Sequence, residues 1–283
     1  MIASTGTGLA EANPKPRPAD DGSRGRDATV RANAAIGGLI WTLIRTDFKA
    51  RYHGTLSGFF WALLKPTAMF VVLVAVFSFV FRGEPNYKLN LILGLFLWDF
   101  FSDATKTGMT SLAAKGFLVT KARFPRWIVV VTSIANAFIT LMVFAAIVTT
   151  YLAVTGHAPS LVALTAFALY ILALATIAVG ISLASSVLFL RFRDLNQIWD
   201  MAIQTGFFVA PIVYPVGVIP ERFHFYLYLW PPTPIIEFSR SVLIAGILPT
   251  ATGHLCLAVL TVGILTLGVM LFRRYAPRAA EYV

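Results

Sequence analysis

Lys115 to Trp127 reads KGFLVTKARFPRW, a short basic segment with one proline, set between two long apolar runs. If those runs cross a bilayer, the four cations Lys115, Lys121, Arg123 and Arg126 hold this connection on the cytoplasmic side, because Lys and Arg resist translocation. A basic cytoplasmic loop between two spans is also a surface on which a cytoplasmic partner can push.

Composition carries this reading to the whole chain. Of 283 residues, 58% are apolar and only 13% charged, with a mean hydropathy of +0.76, outside the range of ordinary soluble domains. The chain therefore reads as an integral membrane protein. Its net charge of +10 resides in cations that flank the apolar runs, not in a hydrophilic domain, so it reports topology and argues against nucleic-acid binding. Cys256 stands alone in an apolar run, which excludes an intrachain disulfide. His53, His157, His224 and His254 lack ligand spacing, so no metal site is expected.

A span needs about 20 mainly apolar residues. Working outward from the basic loop, spans are expected at 59–81, 89–114, 127–154, 161–190, 195–216 and 250–272, giving an all-α protein with six transmembrane helices and both termini in the cytoplasm. Eighteen Lys and Arg residues then fall inside, against Arg82, Lys88, Arg222 and Arg240 outside, and the excess survives without the N-terminal tail. Residues 1–32, rich in Pro, Gly, Ala and charge, bury too little apolar surface to order themselves and read as a disordered cytoplasmic tail. No secretory signal is expected, because no apolar core follows the start. Residues 33–58 place Leu39, Ile40, Leu43, Ile44 and Phe48 on one helical face, with Arg45, Lys49 and Arg51 at other angles. This predicts an amphipathic helix in the cytoplasmic interface, anchored by Trp41 and Tyr52; a soluble helix packed on a partner is the alternative. Residues 59–283 are expected to form the six-span membrane domain.

Between spans five and six, Phe223 to Trp230 and Ile235 to Leu248 are each too short to span, and Pro231-Pro232-Thr233-Pro234 prevents one joint helix. Two short re-entrant helices from the outer face fit this pattern, and an interfacial aromatic belt of Tyr226, Tyr228 and Trp230 is the alternative. Span two places Asp99, Asp103, Lys106 and Thr110 on one face. Charges at this depth are costly, so that face meets protein or water. It holds either a structural Asp103–Lys106 pair or part of a pathway. In span five Asp200, Gln204, Phe207, Pro211 and Tyr214 recur at helical steps. Such a stripe suits a sugar pathway, where aromatic faces stack on pyranose rings and amides and carboxylates bond hydroxyls, and it also suits core packing.

The sequence contains no phosphate-binding G-x-x-x-x-G-K-[ST] loop, no G-x-S-x-G elbow and no H-E-x-x-H. An ATP-driven transporter built on it needs its ATPase from another polypeptide. The order of several stretches resembles the permease subunits of bacterial ABC exporters for O-antigen, teichoic acid and capsular polysaccharide. They are TDFKARYHGTLSGFFWALLKP, LGLFLWDFF, SLAAKGFLVTKARFPRW, RFRDLNQ, APIVYP and FRRYAPRAAEYV, and the match runs from about Trp41 to Val283.

The resemblance implies an inner-membrane homodimer that forms a channel for a lipid-linked polysaccharide, with two cytoplasmic ATPase subunits carrying ATP and Mg and no cofactor in this chain. It implies ATPase coupling through Lys115, Lys121, Arg123, Phe124, Pro125 and Arg126, and substrate access near Trp41, Arg45, Arg51 and Tyr52. It further implies an outer gate at Tyr226, Tyr228, Trp230, Pro231 and Pro232, and sugar contact at Trp98, Phe101, Phe207 and Tyr214, joined by Asp200 and Gln204 of the stripe. A drug or lipid exporter permease is the near alternative. A membrane enzyme acting on glycans would need clustered acids or histidines near one face. An ion-coupled carrier would need broken helices in matching halves.

Overall fold

The structure is a computed structural model that describes residues 21–52, 58, 60–117, 125–156 and 158–277, with side chains from residue 36 onward. Every regular element among the described residues is helical. Two units divide the chain, Met1–Thr42 and Leu43–Val283. Helix α1 (Asp21–Tyr52) begins well before the expected boundary at residue 33, so 21–32 is helical and not disordered tail. In the first unit, Trp41 is exposed and the Thr42 hydroxyl donates to the Gly38 carbonyl one turn back.

In the second unit, α2 (Phe60–Phe77), α4 (Trp127–Val154), α5 (Leu161–Arg191) and α9 (Ala251–Tyr275) are long and apolar enough to cross a membrane. Two of these helices have side-chain N-caps: Ser160 Oγ accepts from the Ala163 N–H and Thr250 Oγ1 from the Gly253 N–H. Helix α3 (Tyr87–Ala114) has 28 residues, about 42 Å at the α-helical rise, and carries the charged face of span two.

Helix α6 (Leu195–Val209) departs from expectation. Its 15 residues reach about 22 Å, short of a hydrocarbon core of about 30 Å. It stops because Pro211 supplies no N–H and forces Ala210 out of helical dihedrals, to φ −69°, ψ 133°. Span five is therefore a helix followed by a segment of turns and bends, not a helix to Val216. Beyond two single 3₁₀ turns (Val216–Val218, Glu221–Phe223) come the two short helices, α7 (His224–Leu229) and α8 (Pro232–Leu243). The prolines break the pair as expected, but Pro232 and Pro234 lie inside α8, in the first turn, where a missing N–H has no helical partner to lose.

Helix α5 is the hub, packed on α9, α3, α8 and α4, while α3 also meets α2, α6 and α8. The α5–α9 seam depends on two glycines. A Cβ on Gly268 would lie 2.1 Å from the Gly180 carbonyl oxygen, and one on Gly180 2.9 Å from the backbone of Ile264 and Leu265. Close backbone approach of this kind is how apolar helices associate where burial from water gives no drive. By contrast α2 buries only Pro66 and Leu73 and leaves Trp61, Val71, Val72 and Val76 more than half exposed.

Candidate functional site

The charged face of α3 organises its surroundings, and it does so across helices. Asp103 accepts two bonds from Arg51 Nη2 of α1, both at 2.9 Å. Lys106 Nζ donates to Asp200 Oδ1 of α6 at 2.5 Å, and Asp99 faces Lys65 of α2 at 3.6 Å. The local Asp103–Lys106 pair expected from sequence does not form, because each charge finds an oppositely charged group on another element. Burial disfavours the Arg51 guanidinium, but the Asp103 hydrogen bond and charge outweigh it and hold its pKa above the ordinary arginine value. Thr105, on the next face, accepts from Trp199 Nε1 at 3.1 Å and adds a second tie from α3 to α6.

One turn before Arg51, Asp47 pairs with Lys115 at the end of α3, and Lys115 Nζ also donates to Ser133 of α4 at 2.9 Å. The end of α1 is thus fastened to α3 by two ion pairs. Between α1, α2, α3 and α4 lies a cavity of about 310 Å³ with Arg51, Lys65, Asp99 and Asp103 among its polar lining and Trp61 and Phe144 among its rings. A second cavity of about 380 Å³, which shares Arg51 with the first, is lined by Asp47, Lys115, Ser133 and Asn136 among others, and the buried Asn136 Oδ1 has no partner among the described residues. Together these cavities offer paired cations, carboxylates and aromatic faces beside a helix end, a chemistry suited to an amphiphile with a polar head.

The sequence-predicted sugar-contact residues separate into two groups. Trp98 and Phe101 are buried and pack with Phe207 and Trp230, with ring centroids 5.9–6.4 Å apart. In this conformation their faces are occupied by protein. Trp230 is seated over Gly206 of α6, where a Cβ would come within 2.4 Å of the indole. Asp200, Gln204 and Phe207 share α6, but Pro211 and Tyr214 lie past its end, so the five-residue stripe is not one helical face. Tyr214 Oη donates to the carbonyls of Phe208 and Val209 at 2.9 and 3.1 Å and satisfies two of the unpaired acceptors at the α6 terminus.

Of the expected gate residues, Tyr226 is exposed, Tyr228 half-buried and Pro232 buried at the start of α8. Burial, then the Glu237 carboxylate, pushes the Tyr228 phenol above its ordinary pKa. Trp41 and Arg45 are exposed, and the Tyr52 ring packs tilted against Phe48, centroids 4.8 Å apart. In the coupling segment Lys121, Arg123 and Phe124 lie outside the described residues; Pro125 precedes α4, and Arg126 donates to the Ala276 carbonyl at the end of α9.

Sequence reasoning counted Arg240 only as an outer cation. It is 8% exposed and acts as a clamp. Its Nε donates to Asn90 O of α3 at 3.0 Å, Nη1 to Pro211 O at 2.5 Å and to Glu237 Oε1 at 2.7 Å, and Nη2 to Ile212 O at 3.0 Å. The carbonyls of 211 and 212 belong to the turns and bends after α6, which have no helical donors of their own. The available signal was an acid and an arginine three apart in a proline-led apolar segment too short to span. Asp200 as partner of Lys106, and Lys65 as partner of Asp99, had no local sequence signal.

The family described as "ABC-2 type transporter" matches residues 38–244. The chain is 28% identical over 245 residues to a Klebsiella pneumoniae protein named "O-antigen export system permease protein RfbA", covering 86% of this chain and 94% of that one. It is 27% identical to the protein of the same name from Myxococcus xanthus (87% and 95% covered), and 23% identical to the Escherichia coli "Polysialic acid transport protein KpsM" (82% and 91% covered).

Proposed function

The chain belongs to the ABC-2 type transporter family, and on that premise we propose that it is the membrane subunit of an ATP-driven exporter that moves a lipid-linked polysaccharide out of the cytoplasm. It is a multi-pass permease and not an enzyme. The observation that carries the polysaccharide reading is near end-to-end similarity to proteins named for O-antigen and polysialic acid export. ATP and Mg reside on a separate ATPase, which docks on the loop from Lys115 to Arg126, and this docking fixes both termini and that loop on the cytoplasmic side of the inner membrane.

The exposed apolar face of α2 and the thinly buried α6 support a second copy as partner, with the translocation path between the two chains. Counting α3, and α6 with the irregular segment after it, gives six crossings, with α7 and α8 re-entering from the outer face as a gate held by Arg240. The lipid-linked end of the substrate approaches beside Arg45, Arg51 and Tyr52, and Gln204, Asp200, Phe207 and Tyr214 line the sugar path. Trp98 and Phe101 border it through Phe207 and Trp230.

Reconstitution with the ATPase encoded beside it is the test. Hydrolysis stimulated by lipid-linked polymer is expected. Failure to form a complex with any ATPase refutes the proposal, and stimulation by drugs or phospholipids in place of polymer identifies the drug or lipid permease instead.

A further inference from the structure

The start of α4 and the end of α9 enclose a groove of about 510 Å³ that the transport reading does not use. Trp127 and Val131 of α4 form one wall and Val269 and Phe272 of α9 the other, with Val179 and Leu183 of α5 between them. The Arg126 bond to the Ala276 carbonyl ties the two walls together at the end where Arg126 and Arg273 also line the groove. Among the described residues no acidic side chain lines it.

Arg126 is half-buried and Arg273 is exposed at the end of the groove. Arg51, Lys65, Lys106, Lys115 and Arg240 each face a carboxylate within 4 Å, whereas Arg126 and Arg273 have no acidic partner among the described residues. An apolar channel that ends in unneutralised guanidinium groups beside an interfacial Trp127, itself 42% exposed, matches a molecule with acyl chains and an anionic head. Basic pockets between transmembrane helices on the cytoplasmic side recognise acidic headgroups in this way.

We propose that this groove is a binding site for an anionic glycerophospholipid of the surrounding bilayer, its acyl chain along Val131, Val179, Leu183 and Val269 and its phosphate between Arg126 and Arg273. The leaflet, cytoplasmic, rests on the orientation proposed above. The bound lipid would bridge α4 to α9 next to the loop on which the ATPase docks, so it would brace the surface that receives the motor's stroke.

The test is lipid retention by the full-length chain in nanodiscs of phosphatidylethanolamine and phosphatidylglycerol in equal parts, read by native mass spectrometry after detergent release. Arg273→Gln should lower retained phosphatidylglycerol about fivefold, the factor for one cation at an acidic surface. Arg274→Gln removes the same charge one residue away, outside the groove lining, and should retain it. Val269→Phe should displace the chain while leaving both arginines, and Arg273→Lys should hold most of the lipid and so report an intact fold. Equal loss from Arg273→Gln and Arg274→Gln, or full retention in Val269→Phe, overturns the proposal. Because retention is read without ATPase or polymer, this outcome is independent of whether the chain exports polysaccharide.

Discussion

Neutralising Glu237 as Gln tests the Arg240 clamp with almost no change of shape. The guanidinium keeps its bonds to the carbonyls of Asn90, Pro211 and Ile212, but its counter-charge disappears while it stays 8% exposed. Two terms compete. Neutral interhelical hydrogen bonds in membranes average about 0.6 kcal/mol, whereas breaking a buried ion pair by removing one partner costs about 3–5 kcal/mol. The charge term dominates, and since the Glu237 side chain is 20% exposed we expect the lower end, about 3 kcal/mol, for Glu237→Gln. Arg240→Met also strands three carbonyls and should cost about 3–5 kcal/mol. The double variant leaves no buried charge, so its cost should fall short of the sum by about 1–2 kcal/mol. Denaturant titration in mixed micelles measures all three. Single variants within about 0.5 kcal/mol of the parent, or a double variant additive within that margin, would refute the clamp. Gly94→Ala offers a check from the other side, because its Cβ would come within 2.6 Å of Arg240 Nη2 and push a group that four acceptors hold in place.

Reversing Lys106 to Asp should cut export at least tenfold by opposing Asp200, since like-charge contacts cost several kcal/mol, and Asp200→Lys in the same chain should restore much of it; a double variant as inactive as the single removes the pairing argument. Gly268→Leu should leave little folded protein, a loss of about 3 kcal/mol or more read by size-exclusion yield, because the obstructing atoms are the Gly180 backbone and cannot swing aside. Tyr214→Phe removes the hydroxyl that caps α6 and should destabilise by about 1–2 kcal/mol while preserving the ring; a loss of export larger than the loss of stability would instead mark the hydroxyl as a substrate contact. Charge reversal at Arg123 and Arg126 should abolish export and weaken ATPase co-purification, and normal co-purification would count against docking there.

Much of the architecture was legible because bilayer thickness and helix rise convert apolar run length directly into spans. Trp127–Val154 matches its expectation at both ends, and α2, α5 and α9 match within a few residues of the expected limits. The break after α6 was less legible. Pro211 was visible as a kink, but whether the chain beyond it stays helical depends on which groups donate to the freed carbonyls: Tyr214 does so to carbonyls 6 and 5 residues back, and Arg240 to one 29 residues back.

The charged face of α3 shows the same boundary more sharply. Helical periodicity alone places Asp99, Asp103 and Lys106 on one side of the helix, and the cost of charge in lipid alone says that this side must face protein or water. The basic loop at Lys115 likewise follows from one-dimensional spacing. Which partner each charge takes was decided only in three dimensions: Arg51, Lys65 and Asp200 come from three other helices, and an ion pair forms where geometry delivers the opposite charge, not where sequence places it nearest. Arg240, outwardly one more cation in a loop, became a clamp for the same reason, because burial turned its charge from a topological label into a group that must be fully bonded.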